Sequence, residues 1–204
     1  AVPEAFITAH DAIRTRCRLA LGDVLLVQGA NGGVGSAGVM IGVAAGAQVL
    51  GAVRSDDAAA FVASLGATPV RVDDLAAAVE AATGGRGVDV VLELVGAPNL
   101  PADLAVLAER GRIVVVGTGA GAKVELSMRD LMGRRAELHG TVLRARRLDD
   151  KAQAVRAFER EVVPQLASGR LVPPVDSVFP AAEATAAFDR LAGPGKRGKV
   201  LLAW

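Results

Sequence analysis

Short apolar runs alternate with stretches of helical spacing over the first 145 residues of the chain. The apolar runs are rich in Val, Leu and Ile and have the length of buried strands. Several of the stretches between them begin at Ser or Asp and end at Gly, as helices commonly do. The pattern predicts six strands, at residues 24–27, 48–53, 69–72, 88–94, 111–117 and 137–143. It predicts helices at residues 34–45, 55–66, 73–84, 100–109 and 127–132.

This alternation predicts an α/β fold with a six-stranded, doubly wound parallel sheet of the Rossmann type. The pattern changes after residue 145, where it predicts helices at 148–167 and 181–191 and strands at 172–179 and 199–204. Pro173 and Pro174 confine the first of these strands to a sheet edge or a bulge. Neither late strand has an evident partner in residues 1–145. We therefore expect residues 146–204 to belong to a second, incomplete domain.

A glycine-rich turn separates the first predicted strand from the first predicted helix. In the dinucleotide fingerprint G-x-G-x-x-G, Ala30 takes the first glycine position, while Gly32 and Gly35 hold the second and third. A helix that begins here presents free N–H groups to an anion. The turn predicts a dinucleotide site, with a tight turn that binds nothing as the alternative. The predicted contacts are Ala30, Asn31, Gly32, Gly33, Val34 and Gly35.

Two observations bear on the cellular setting of the chain. Residues 24–53 carry no charge, but eight glycines together with Gln28, Asn31 and Gln48 divide them into strand, turn, helix, turn and strand, so no membrane span is predicted. No basic segment followed by an apolar core opens the sequence, so no secretory signal is predicted. The single cysteine, Cys17, excludes an internal disulfide framework and a cysteine-built zinc site. These features fit the cytoplasm.

The composition argues against nucleic acid as a partner. The net charge is only +1, although six arginines cluster between residues 129 and 147. Aromatic residues make up 3% of the chain and tyrosine is absent, so stacking platforms for bases are missing. We expect neither nucleic acid nor a membrane as a partner.

Arg54 and Ser55 follow the second predicted strand, where enzymes that prefer NAD place an acidic residue. An acid there would repel a 2′-phosphate, whereas a guanidinium can bind it and a hydroxyl can donate to it. The sequence therefore predicts NADPH as the cofactor. Asp56 and Asp57 are the counterargument, and we interpret them as first-turn residues of a helix rather than as ribose ligands.

Five segments together resemble the medium-chain dehydrogenase/reductase superfamily. They are residues 3–10 (PEAFITAH), 22–27 (GDVLLV), the glycine turn, 87–92 (GVDVVL) and 198–202 (GKVLL). Within the superfamily, the chain is similar to the zinc-free NADPH:quinone oxidoreductases. Two further segments, 143–147 (LRARR) and 157–164 (AFEREVVP), resemble the branch that contains the p53-inducible quinone oxidoreductase.

The resemblance implies a domain organisation. Residues 1–145 would be an NADP(H)-binding Rossmann domain, and residues 146–204 a linking helix and the C-terminal return segment of a GroES-like catalytic domain. The leading part of that domain is absent, which implies that the chain is a fragment and is inactive alone. The zinc ligands of the family lie mostly in the leading part, so no metal site is expected.

The resemblance also implies further cofactor contacts, namely a threonine near the nicotinamide, the loops after the fourth and fifth strands, and a basic residue of the tail. These are Thr8, Val95, Gly96, Gly117, Thr118 and Lys199. No catalytic residue is assigned. We expect His10 and His139 to be structural or on the surface.

The predicted activity is hydride transfer from NADPH to a small-molecule electron acceptor, either a quinone or an α,β-unsaturated carbonyl. An enoyl reductase module acting on thioesters and a nucleotide-binding module without turnover are the alternatives. The sequence argues against a methyltransferase, which would have an acid at the position of Val53. It also argues against a P-loop kinase, which would have Gly-Lys-Ser/Thr after the turn. The strand at 137–143 is expected at an exposed sheet edge, which predicts a homodimer through that edge.

Overall fold

Six parallel strands form the centre of the computed structural model, which describes residues 2–204, so Ala1 of the predicted first domain lies outside the described residues. The strands are β1 (Val24–Val27), β2 (Gln48–Val53), β3 (Thr68–Arg71), β4 (Val88–Glu93), β5 (Leu107–Val115) and β6 (Glu137–Gly140). Their spatial order is β3-β2-β1-β4-β5-β6, which confirms the predicted doubly wound sheet. The order reverses between β1 and β4, so a crevice opens at the carboxyl ends of these two strands.

Helices cover both faces of this sheet. They are α1 (Val2–His10), α2 (Gly33–Ala44), α3 (Asp56–Ser64), α4 (Leu75–Thr83), α5 (Leu100–Val106), α6 (Met128–Gly133), α7 (Leu148–Glu161) and α8 (Val163–Ala167). The last helix, α9 (Ala184–Ala192), packs instead against the two late strands. Leu25 and Val27 join the core beneath α1, α2 and α7, whereas Val24 and Leu26 join the core beneath α4 and α5. Because both faces are covered, β1 is buried at every position, which explains its uninterrupted apolar sequence.

Glycines on α2 let this helix lie close to the sheet. A Cβ atom at Gly38 would lie 2.6 Å from Leu92 Cδ2, and one at Gly42 would lie 2.7 Å from Leu25 Cδ2. Both distances are far below van der Waals contact. The close approach outweighs the cost of glycine in a helix, about 1 kcal/mol each relative to alanine.

The structure corrects four predicted boundaries. The helix predicted at 100–109 ends at Val106, because Leu107 pairs with Val88 and begins β5 through a register shift. The helix predicted at 148–167 breaks at Val162, where α8 starts afresh with Pro164 in its first turn. The strand predicted at 172–179 begins only after its two prolines, at residue 175. The strand predicted at 137–143 ends at Gly140.

The late strands β7 (Val175–Pro180) and β8 (Lys199–Ala203) pair in parallel with each other, apart from the large sheet. The expectation that they find no partner in the first sheet is confirmed. Their surroundings leave large apolar side chains exposed, namely Val178, Phe188 and Trp204. Over residues 2–204, no helix is both long and apolar enough to cross a bilayer.

Candidate functional site

The glycine turn after β1 folds so tightly that only glycine fits at its contact with α2. Gly29 has a positive φ of 66°, and the N–H of Gly32 donates to the carbonyl of Gly29 at 3.1 Å. A Cβ atom at Gly35 would lie 2.2 Å from that carbonyl oxygen and 2.9 Å from Ala30 Cα. Gly35 therefore allows the first turn of α2 to lie directly on the turn that precedes it.

Free backbone amides mark the start of α2. Ser36 donates its N–H to the carbonyl of Gly32 at 2.8 Å, whereas the N–H groups of Gly33, Val34 and Gly35 have no acceptor within the described residues. Gly32, the N-cap, has no side chain that could satisfy them. Three unpaired amides at the positive end of a helix dipole are an arrangement that can bind an anion such as a diphosphate.

The C-terminal tail crosses this helix end and brings Lys199 to it. Gly198 donates its N–H to the carbonyl of Asn31 at 3.1 Å, and Asn31 Nδ2 donates to the carbonyl of Lys196 at 3.2 Å. The Nζ atom of Lys199 then lies 3.4 Å from the position that a Cβ atom at Gly33 would take. The structure thus places Asn31 and Lys199 together at the turn. The Asn31 side chain therefore binds the tail through its hydrogen bond to Lys196.

Arg54 and Ser55 lie exposed at the carboxyl end of β2. Ser55 Oγ accepts a hydrogen bond from the N–H of Ala58 at 3.3 Å and so caps α3, which leaves its hydroxyl hydrogen free to donate. Asp56 and Asp57 lie in the first turn of α3, as expected. This turn adjoins the anion site, because β2 and β1 are neighbours in the sheet.

Two arginines that sequence reasoning missed lie near Arg54. Arg71 ends β3 opposite Val53, and its Nη1 lies 3.3 Å from Asp56 Oδ1. Arg197, in the tail, places Nη2 3.0 Å from Asp57 Oδ2. Together with Arg54 they form an arginine cluster around the carboxyl end of β2. The parallel pairing of two neighbouring strands could have pointed to Arg71, but no local pattern indicates where the tail docks.

The loops after β4 and β5 interlock at the same edge of the sheet. Ala120 donates its N–H to the carbonyl of Val95 at 2.8 Å, and a Cβ atom at Gly117 would lie 2.1 Å from the carbonyl oxygen of Leu94. Gly96 adopts a φ of 148°, which favours glycine. A Cβ atom at Gly29 would lie 3.3 Å from Val95 Cγ2, so this loop also adjoins the glycine turn. Thr118 follows in the second loop.

Beneath these loops lie two buried acids that sequence reasoning also missed, Glu93 and Asp103. Glu93 Oε1 accepts from the N–H groups of Val95 and Gly96, the latter at 2.7 Å. Asp103 Oδ1 accepts from Gln28 Nε2 at 2.7 Å. Burial, together with the neighbouring Glu93, raises the pKa of Asp103 to about 8. For Glu93, the available sequence signal was an acid at the carboxyl end of a mostly apolar strand.

Thr8 lies on α1 and lines a groove of about 210 Å³ with Val116 and Thr141. Asp11, a buried acid three residues after Thr8, forms an ion pair with Arg146, with Arg146 Nη1 3.0 Å from Asp11 Oδ1. This pair holds the segment after β6 against the end of α1. Because Thr8 and Val116 line the same groove, Thr8 lies close to the start of the loop that contains Gly117.

The histidines and the cysteine lie away from this edge of the sheet. His10 Nε2 lies 3.0 Å from Glu161 Oε2, and His139 Nε2 lies 2.9 Å from Glu137 Oε2. Cys17 is buried, and burial raises the pKa of its thiol to about 12. Over residues 2–204, no three His, Cys, Asp or Glu side chains converge as metal ligands.

Comparisons with known proteins agree with this fold. The profile of a protein family described as "Zinc-binding dehydrogenase" matches residues 33–160. The quinone oxidoreductase of Mus musculus is 31% identical over 205 residues, which cover 97% of this chain and 60% of that protein. This chain therefore spans less than two thirds of that relative.

Two solved structures are similar over nearly the whole chain. The quinone oxidoreductase from Thermus thermophilus, whose crystal structures include its complex with NADPH, has a TM-score of 0.88 at 32% identity and covers 99% of this chain and 64% of its own. The CurK enoyl reductase has a TM-score of 0.80 at 28% identity and covers 98% of this chain and 61% of its own.

Proposed function

Because the chain belongs to the zinc-binding dehydrogenase family, within the medium-chain dehydrogenase/reductase superfamily, we propose that it is the cofactor-binding portion of an NADPH-dependent oxidoreductase. The enzyme would transfer hydride to a quinone or an α,β-unsaturated carbonyl. One observation carries the proposal: Lys199 and the arginine cluster lie along the same sheet edge as the unpaired amides that begin α2. The crystal structure of the Thermus thermophilus quinone oxidoreductase with NADPH supports it.

The diphosphate would be held by the backbone at the start of α2. The N–H groups of Gly33, Val34 and Gly35 have no other acceptor in the described chain, and the Lys199 ammonium lies close by. Amides fixed by the fold need no rearrangement to receive an anion. The packing of Gly35 on the turn keeps them in place.

The 2′-phosphate of NADPH would be bound by the arginine cluster. A guanidinium can donate two parallel hydrogen bonds to a phosphate. Arg54 follows β2, Arg71 lies in register with Val53, and Arg197 pairs with Asp57, so all three arginines belong to segments at the carboxyl end of β2. Asp56 and Asp57 each pair with one of these arginines, so their charges are offset and they orient the cluster. NADH lacks the phosphate and would gain nothing from these side chains.

The nicotinamide half would lie against the two interlocked loops. Val95 and Gly96 on one loop, Gly117 and Thr118 on the other, and Thr8 on α1 surround this end of the edge. When bound, the reduced nicotinamide supplies the hydride. The loops would fix its orientation, since their backbone hydrogen bonds leave little freedom.

The described residues do not fit a zinc ion, although the family description names zinc. No donor set of three converges, Cys17 is buried and uncharged, and both histidines are engaged with glutamates. No step proposed for this chain passes through a metal. Its assignment to the zinc-free quinone oxidoreductases and their p53-inducible branch is part of the proposal, supported by residues 143–147 and 157–164.

The division of the chain is part of the same proposal. Residues 1–145 would be the NADP(H)-binding domain, and residues 146–204 would link to and return from a GroES-like catalytic domain. The exposed apolar side chains of Val178, Phe188 and Trp204 beside the two-stranded sheet support this division, because they need a covering partner.

An enoyl reductase module acting on thioesters is the second candidate, favoured by the similarity to the CurK enoyl reductase. Both candidates use the same cofactor site and differ only in the acceptor. Comparing the turnover of 1,4-benzoquinone and of a crotonyl thioester by the complete enzyme separates them. A nucleotide-binding module without turnover would reduce neither.

The proposed assembly is a homodimer through the segment 137–143. The strand β6 forms one edge of the sheet, and Leu138 and Val142 are exposed there. A free strand edge offers N–H and C=O groups to a second copy related by a two-fold axis.

The experiment that tests the proposed function titrates the chain with NADPH and with NADH and then assays it with 1,4-benzoquinone. We expect tighter binding of NADPH than of NADH. We also expect negligible turnover, because acceptor contacts would come from the catalytic domain. Equal affinity for the two cofactors would contradict the proposal, and rapid quinone reduction would contradict the part played by that domain.

A further inference from the structure

A buried polar network connects the two halves of the proposed cofactor site. It consists of Gln28, Asp103 and Glu93, each at most 2% exposed. Gln28 directly precedes Gly29 of the glycine turn, where the diphosphate is proposed to bind. Glu93 ends β4 and lies two residues before Val95, the first residue of the loop proposed to hold the nicotinamide. The network therefore spans the crevice between β1 and β4.

One buried oxygen of this network, on Asp103, has no hydrogen-bond donor among the described residues. Glu93 accepts from the N–H groups of Val95 and Gly96 through Oε1 and from Asn99 Nδ2, at 3.2 Å, through Oε2. Asp103 Oδ1 accepts from Gln28, but Oδ2 is buried and has no donor among the described residues. An ionised Asp103 would leave a charged oxygen unpaired in the core, which is costly.

A proton on Asp103 Oδ2 resolves this problem, because the carboxyl group can then donate to Glu93. Burial, followed by the neighbouring Glu93 carboxylate, raises the pKa of Asp103 to about 8. Glu93 comes from β4 and Asp103 from α5, while the other partners, Gln28 and Asn99, are neutral. In the described chain, no Lys, Arg or His pairs with either carboxyl group, so no cation would offset a second negative charge.

We propose that Glu93 and Asp103 share one proton and act as positioning residues for the cofactor. With one negative charge, the pair holds the amides of Val95 and Gly96. Through Gln28, it also fixes the position of this loop relative to the glycine turn. A second charge would disturb the loop and weaken binding of the nicotinamide half, while the adenosine half would be unaffected. This inference rests on the proposed function, since it assigns a role at the same site.

Amide substitutions separate the proton from the shape of the network. Asp103→Asn keeps an acceptor for Gln28 and supplies an N–H donor toward Glu93, so it mimics the protonated acid without titrating. Glu93→Gln removes the repelling charge. Asp103→Leu keeps a branched side chain, although a larger one, and removes both hydrogen bonds, so it leaves Gln28 and Glu93 without their partner.

The experiment titrates the 204-residue chain and its variants with NADPH and, separately, with adenosine 2′,5′-bisphosphate, which occupies the adenosine half alone. A group with a pKa of about 8 is about 90% protonated at about pH 7 and about 10% protonated at about pH 9. We therefore expect NADPH affinity to fall about tenfold over this interval in the wild type and to stay flat in Asp103→Asn and Glu93→Gln. The bisphosphate affinity should stay flat in all of them, and Asp103→Leu should weaken NADPH alone.

Thermal unfolding is the second measurement and does not depend on the cofactor. An acid whose pKa rises on folding from 3.8 to about 8 binds more protons in the folded state between these values. Wild-type stability relative to Asp103→Asn should therefore fall as the pH rises from about 4 to about 8. This comparison of the wild type with Asp103→Asn remains possible even if Asp103→Leu fails to fold.

The outcomes distinguish failure of the proposed function from failure of this inference alone. If the wild type binds neither ligand, the proposed function is wrong and this inference falls with it. If the wild type binds both ligands but its NADPH affinity follows the same pH profile as that of Asp103→Asn, the inference alone is wrong. A parallel loss of bisphosphate affinity, or unchanged NADPH binding by a folded Asp103→Leu, would also overturn it.

Discussion

Arg197, from the C-terminal tail, forms an ion pair with Asp57 in the first turn of α3, with Nη2 3.0 Å from Oδ2. The contact joins two segments that are far apart in sequence and closes the tail over the carboxyl end of β2. Because Gly198 and Lys199 follow directly, the same segment delivers one cation to the arginine cluster and another to the start of α2. The tail thereby contributes to both proposed phosphate sites.

Removing single members of the arginine cluster should change cofactor preference. Each of Arg54→Ala, Arg71→Ala and Arg197→Ala is expected to weaken NADPH binding by about tenfold, because each removes a charge-assisted hydrogen bond to the 2′-phosphate. NADH affinity should not change. Calorimetric titration of both cofactors measures the ratio, and Arg156→Ala, an exposed arginine on α7, is the matched control. An unchanged NADPH/NADH ratio in Arg54→Ala would remove the assignment of the 2′-phosphate to this end of β2.

Two glycines of the turn should respond differently to a methyl group. Gly35→Ala brings a Cβ atom within 2.2 Å of a backbone oxygen, so it should lower the free energy of unfolding by about 1–3 kcal/mol and abolish NADPH binding. Gly33→Ala meets only the side chain of Lys199, at 2.5 Å from Cδ. This side chain can move, so stability should hold while NADPH affinity falls.

Thermal unfolding and NADPH titration check both variants. The control is Gly133→Ala, where no heavy atom lies within 4 Å of the added carbon. Wild-type stability and affinity in Gly35→Ala would show that α2 does not pack as described.

The tail should loosen in acid. Asp176 accepts from Arg190 through both oxygens and from the N–H of Arg197 at 2.9 Å. Arg190, more than any other group, lowers the pKa of Asp176 from 3.8 to about 2. The stability that this carboxylate provides is therefore present above about pH 4 and is lost as the pH falls toward about 2.

The substitution Asp176→Asn should lower the melting temperature by a few degrees at neutral pH and weaken NADPH binding through the freed tail. Melting curves of the wild type and the variant should converge near the lower end of this pH window. A constant difference down to that end would assign the stabilisation to another group.

The edge of β6 should carry the dimer. We expect a dimer in sedimentation equilibrium, and we expect Leu138→Asp to produce monomers, because a charge beside the unpaired edge opposes pairing. Leu148→Asp, at an exposed position on α7, is the control. A monomeric wild type at micromolar concentration would refute the predicted assembly.

Local patterns were sufficient for the sheet and for the glycine turn. Buried parallel strands are apolar throughout, and residues 24–35 combine such a strand with glycines that only a close helix contact requires. Patterns failed where a tertiary contact decides the outcome. Leu107 begins a strand because it pairs with Val88, although its neighbours favour a helix.

The same reason explains the site residues that were missed. Arg71 gains its position from the pairing of two neighbouring strands, which could have been anticipated, whereas Arg197 gains its position from tail docking, which leaves no local signal. Glu93 and Asp103 lie ten residues apart on different elements, and only the packing of α5 beneath the loops brings them together. Sequence spacing indicates which elements form, but the contacts between them arise from packing.

A crystal structure of the chain with NADPH tests the central claim most directly. We predict the diphosphate at the amides of Gly33, Val34 and Gly35 with Lys199 beside it, and the 2′-phosphate among Arg54, Arg71 and Arg197. Density for the cofactor elsewhere, or a site at the start of α2 that stays empty in saturated crystals, would contradict the claim.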